Sequence, residues 1–208
     1  MALTPPRLEG AKAVHFRVKS RTDPRLEPQM KFVENAWRGA RQKLQGAGGF
    51  CGCGSKWPHI MNGVEVTLVD KAPYTARCWD DDRLFIHLKR FSEEKDGGVP
   101  VIVHEFGHRV WFQCLDHEAR DIWKQSFLHA KKQTPARWGN ACGGVVSEYA
   151  CTDELEDFAE VFRMLVYGKI DSFNQQRWKD VCACRDKRCS IEPRAANMLR
   201  AATGRAFG

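Results

Sequence analysis

One run of nine residues, VHEFGHRVW at 103–111, restricts this chain more than any other. Two histidines stand four apart with a glutamate between them, in an otherwise apolar stretch. Residues four apart on a helix lie about 40° from each other around the axis, so His104 and His108 aim at one point. Neutral imidazole is a good zinc ligand. Glu105 lies one residue on, about 100° around, where it can hold a water rather than bind the metal. This is the HExxH arrangement, in which the metal acidifies a water and the glutamate takes its proton. Val101, Ile102, Val103, Phe106 and Val110 make the helix apolar and predict that it is buried. Two histidines and a glutamate buried without a cation or partners would cost several kcal/mol.

A catalytic zinc needs a third protein ligand and an open position. The metzincin pattern would want glycine at 111 and histidine at 114. Trp111 and Cys114 stand there instead. His117, nine residues past His108, falls on the opposite face of the helix and is expected at the surface. The acids of EDFAE are better placed. Glu156 and Glu160 are again four apart, on a helix carrying Phe158, Val161, Phe162, Met164 and Leu165. One can bind the metal. The other can accept the ring N–H of a ligand histidine and set its tautomer.

HEFGHRV, followed by SEYACTDELEDFAEVFRML, resembles the catalytic domain of anthrax lethal factor and the related Pro-Pro endopeptidases. The resemblance spans roughly residues 100–168, is faint over 64–91 and is absent elsewhere. It implies a zinc metallopeptidase with His104, His108 and Glu156 as ligands and Glu105 as general base. Tyr149, seven residues before Glu156, would stabilise the oxyanion, and Glu160 would stand behind His104. Arg163 also matches. The cysteines depart from the family pattern.

The fold class expected is α+β, a zincin-like domain with a small mixed sheet packed on the HExxH helix and further helices towards the C-terminus. Residues 1–12 read as a loose arm and 13–208 as one catalytic domain with its core at 64–168. Strands are predicted at 14–20, 64–70 and 83–91, and helices at 27–46, from about 100, at 155–168, and in two short terminal segments, 174–183 and 192–204. The 46–54 run, GAGGFCGCG, fits no phosphate-loop pattern and reads as a turn. Residues 134–147 read as a loop. Strand 83–91 is the expected edge for a peptide substrate, with Leu84, Ile86 and Leu88 facing the helix and His87 facing solvent. The acidic turn Asp80–Asp82 precedes it.

Nine cysteines are present, an odd number. Cys51 and Cys53, with Cys182, Cys184 and Cys189, could hold a second, structural zinc. Cys78, Cys114, Cys142 and Cys151 are expected to pack as small apolar side chains. The N-terminus carries no apolar signal core and no window is apolar enough to span a membrane, so a cytoplasmic monomer acting on protein or peptide is expected. A net charge of +7 leaves nucleic acid open as a partner, although no dense Lys/Arg block with interleaved aromatics supports it. Two further functions compete with the peptidase: a catalytically silent zincin-fold binding or structural module, and a DNA-associated protease. The latter commonly uses a third histidine, for which no candidate stands out.

Overall fold

The computed structural model describes residues 15–18, 27–47, 64–69, 72–78, 83–94, 96–132 and 143–183. These form a mixed α+β unit. A four-stranded sheet contains β1 (His15–Val18), β2 (Glu65–Val69), β3 (Ala76–Cys78) and β4 (Arg83–His87), in the order β1-β2-β4-β3. β1, β2 and β4 run parallel, and β3 is antiparallel to β4. Val66, Thr67 and Leu68 are all buried, so both faces of β2 are covered, as expected of a parallel strand at the centre of a sheet.

Between β1 and β2 runs α1 (Glu27–Gly46), at the bounds its periodicity predicts. Val33, Ala36, Trp37, Ala40 and Leu44 recur at helical spacing and are buried. The HExxH helix is α3 (Val99–Cys114). Gly98 precedes it at φ 72°, a conformation that favours glycine, and a Cβ there would also lie 2.5 Å from the Phe91 ring. α5 (Glu154–Val166) packs across α3 and stops before Gly168, at φ 63°. α6 (Ser172–Ala183) covers the far side. An aromatic cluster joins these layers: Phe158 on α5 lies 5.3 Å from Trp111 and 5.1 Å from both Trp123 and Trp178, centroid to centroid.

Several expectations need correction. The segment 83–91 is not one strand. After His87 it turns into α2 (Leu88–Ser92). His87 does not face solvent. It is 8 % exposed, and its Nδ1 accepts the Arg90 N–H at 3.0 Å, capping α2. β4 is not the sheet edge either, because β2 and β3 pair with it on both sides. The HExxH helix does not reach His117. Leu115 is extended, and Asp116 caps a new helix, α4 (His117–Lys131), by accepting the Ala119 N–H at 2.9 Å. His117 itself is exposed, as expected, and pairs with Asp121.

Cys151 is not a packed thiol: it is disulfide-bonded. Its partner lies outside the described residues, since Cys78 and Cys114 remain thiols. Cys51, Cys53, Cys184 and Cys189, the side chain of Cys182, the 46–54 turn beyond Ala47, and the 192–204 helix also fall outside the described residues. No described helix is long and apolar enough to cross a membrane.

Candidate metal and catalytic site

Two crossed helices build the site. α3 contributes His104, Glu105 and His108, all buried. Gly107, between the histidines, lets α5 come close: a Cβ there would sit 2.7 Å from the Ala159 Cα. That approach brings the acids of α5 over the imidazoles. Asp153 starts α5, its Oδ1 accepting the N–H groups of Leu155 and Glu156 at 3.0 and 2.9 Å. Glu156 is thereby held in the first helical turn.

The donor atoms form a tight triangle. His104 Nε2 is 3.1 Å from His108 Nε2 and 3.0 Å from Glu156 Oε2, and His108 Nε2 is 3.2 Å from the same oxygen. A tetrahedral zinc with bonds of about 2.05 Å would space its ligand atoms about 3.3 Å apart. The triangle has the right size, and His104, His108 and Glu156 could hold a metal ion. The donor set also fits the tautomer. His104 Nδ1 is 2.8 Å from Glu160 Oε1, so a proton there is accepted by a carboxylate and Nε2 keeps its lone pair for a cation. His108 Nδ1 is buried and finds no partner among the described residues.

The charges answer to this packing. Burial works against a charge on His104, but the Glu156 and Glu160 carboxylates at its two ring nitrogens more than offset it, and its pKa is pushed up to about 9. Burial also opposes ionisation of Glu156 and Glu160. The histidines hold Glu156 well below the usual carboxylate range, and His104 and Arg163 lower Glu160. Without a metal, a proton on His104 takes the cation's place.

Glu105 stands apart from the triangle, 6 % exposed. Its Oε2 accepts the Cys78 N–H at 2.6 Å. Burial pushes its pKa up, against the pull of the two imidazoles and of that N–H. Tyr149 lies in a 3-10 turn, Tyr149–Cys151, with its ring 5.6 Å from that of His104. Burial and the charges of Glu156 and Glu105 raise its phenol above the ordinary value, so it stays a donor. Glu105, Tyr149, His108 and Glu156 open onto one cleft of about 580 Å³, which Tyr74, Ala76, Arg77, Cys78, Phe112 and Leu155 also line. No family model, curated protein or solved structure matches the chain.

All six residues singled out around the motif therefore meet: His104, Glu105, His108, Tyr149, Glu156 and Glu160. Asp157, adjacent to Glu156 in sequence, is turned away and fully buried. It pairs with the Arg177 guanidinium, which also donates to Asn174 Oδ1 and Ser126 Oγ at 2.7 Å each. Three contributors had escaped the sequence. The Cys78 N–H is a backbone group, and side-chain patterns cannot show it. Ser147 donates to Glu160 Oε2 at 2.8 Å, and Arg177 fixes α5 from behind. Ser147, two residues before the tyrosine, closes the segment 134–147 that reads only as a loop.

Proposed function

We propose that the chain is a zinc-dependent metallopeptidase with a zincin-like arrangement of sheet and active-site helix. The observation that carries this reading is the convergence of a zinc-sized His–His–Glu triangle, a buried carboxylate and a phenol donor on one cleft. Zinc held by His104, His108 and Glu156 would polarise the scissile carbonyl and acidify the attacking water. Glu105 receives that water's proton. Its Oε2 is committed to the Cys78 N–H, so the proton arrives at Oε1. Glu105 then delivers it to the leaving amine. Tyr149 donates its O–H to the carbonyl oxygen as charge develops there.

The substrate is a peptide laid along β3. This strand borders the cleft and, among the described residues, has no strand on its outer side. The Thr75 carbonyl accepts the His87 N–H, which puts Thr75 and, by alternation, Arg77 on the β4 side. Ala76 and Cys78 therefore turn their backbone groups outwards. The Cys78 N–H is held by Glu105, and the N–H and carbonyl of Ala76 are the groups that face an added strand.

A silent binding module has no use for a base and an oxyanion donor in the metal cleft, and the charge distribution gives no specific support to a DNA-associated protease. The deciding experiment measures zinc per chain by elemental mass spectrometry and hydrolysis of a mixed peptide library. One zinc at this site, with cleavage that Glu105→Gln abolishes while zinc is retained, is expected. A chain that takes up no zinc on reconstitution refutes the proposal.

A further inference from the structure

We infer that Ser147 is a positioning residue that couples the Tyr149 turn to the carboxylate behind His104; the inference rests on the peptidase reading. Tyr149 is 56 % exposed, and its ring meets His104 on one side only. Its turn is three residues long, and Glu148 provides no side-chain cap. The Ala150 N–H is met instead by Ser147 Oγ at 3.1 Å. The same hydroxyl donates its proton to Glu160 Oε2 at 2.8 Å, where Arg163 Nη2 also donates at 2.7 Å. The other oxygen of Glu160 faces His104 Nδ1 at 2.8 Å.

A continuous chain results, from the Ala150 N–H through Ser147 and Glu160 to His104. A hydroxyl is the one small group that can accept at one end and donate at the other. Glu160 keeps Arg163 and His104 if Ser147 is lost, so the carboxylate stays ionised and in place. The Ala150 N–H, inside the Tyr149 turn, loses the acceptor that Ser147 gives it; the Cys151 disulfide and the Thr152 N–H to Tyr149 carbonyl bond hold only the far end of the turn. Ser147 therefore acts chiefly on the phenol's position and only weakly on the metal ligands.

The test compares Ser147→Ala, Ser147→Thr, Tyr149→Phe and the double variant Ser147→Ala/Tyr149→Phe. With a hydrogen bond of ordinary worth lost, kcat/KM of Ser147→Ala is expected to fall about tenfold through kcat, with KM little changed. Ser147→Thr, which keeps the hydroxyl, should recover most of it. In the Tyr149→Phe background the serine change should cost less than about twofold, because the group it positions is gone. A structural readout stands beside the kinetics. The chain has three tyrosines, so 3-fluorotyrosine labelling gives three ¹⁹F resonances, and Tyr149→Phe assigns one. Ser147→Ala should shift or broaden that resonance and leave the Tyr167 signal in place.

An unmoved Tyr149 resonance overturns the inference, as does a full tenfold loss in the double variant. So does a fall in zinc affinity with no change at Tyr149. The ¹⁹F result stands whether or not the wild-type chain cleaves peptide, so failure of the peptidase reading and failure of this coupling are told apart.

Discussion

Gly107→Ala tests the helix crossing on which the site depends. A Cβ at 107 would lie 2.7 Å from the Ala159 Cα and 3.1 Å from both its carbonyl oxygen and its Cβ. Ordinary contacts begin at 3.4 Å, so α3 and α5 must part by about 0.7 Å. Both are rigid helices, and the nearest obstacle is backbone. Stability alone reports this poorly. Overpacking costs about 1–3 kcal/mol, but alanine gains up to about 1 kcal/mol over glycine inside a helix. The net effect is a Tm lowered by anything from nothing to about 10 °C, at about 2–4 °C per kcal/mol for a chain of this size.

Metal affinity should report it well. His104 and His108 sit on α3 and Glu156 on α5, so the triangle edges of 3.0 and 3.2 Å span the gap being opened. Metal sites hold ligand distances to about 0.2 Å. A parting of about 0.7 Å should weaken zinc at least about tenfold. Competition against a chromogenic chelator measures this. Gly46→Ala, where the added Cβ meets nothing within 4 Å, is the control and should bind zinc normally. Wild-type zinc affinity in Gly107→Ala would refute the claim that close approach of the two helices assembles the site.

Other outcomes follow from the same geometry. Tyr149→Phe should retain zinc while kcat falls by roughly 10²–10³, the usual cost of an oxyanion donor, as steady-state kinetics will show. Glu160→Gln should weaken zinc by about 10–100-fold in the chelator assay, because it loosens the hold on the His104 tautomer. The pH behaviour of metal-free protein is set by His104. Its folded pKa, about 9, lies above the ordinary 6.5, so the stability it contributes is complete below 6.5 and lost as pH rises through about 9. That gap corresponds to about 3 kcal/mol for the imidazole–carboxylate cluster, read by denaturant unfolding of the chelator-treated chain across this window. Over the same window zinc must displace that proton, so its apparent affinity should rise by up to about tenfold per pH unit. A flat profile in both measurements would remove the proton from the site.

His104, Glu105 and His108 could be read from the sequence because helical spacing is local: four residues along one chain place two side chains on one face whatever surrounds them. The same holds for Glu156 with Glu160, and for α1, whose apolar stripe predicts its bounds. Which glutamate faces which group is seen only in space: Glu156 Oε2 meets both imidazole Nε2 atoms, and Glu160 Oε1 meets His104 Nδ1. Local pattern failed where neighbours in space decide. The segment 83–91 alternates like a strand throughout, yet it leaves the sheet at His87, whose ring caps the following helix. Nothing in the alternation says that β3 rather than β4 lies outermost, since strand order is settled by which edges meet. Nor does apolar character reveal that Leu115 separates two helices, or that Cys151 is disulfide-bonded. The sequence by itself determined which side chains share a helix face, because those groups sit at fixed intervals on single helices. Tertiary structure alone decided how they meet. The bare face of Gly107 brings α5 onto α3, the Cys78 amide holds Glu105, and Ser147 reaches Glu160, because these contacts join residues far apart in the chain and depend on packing that no local interval encodes.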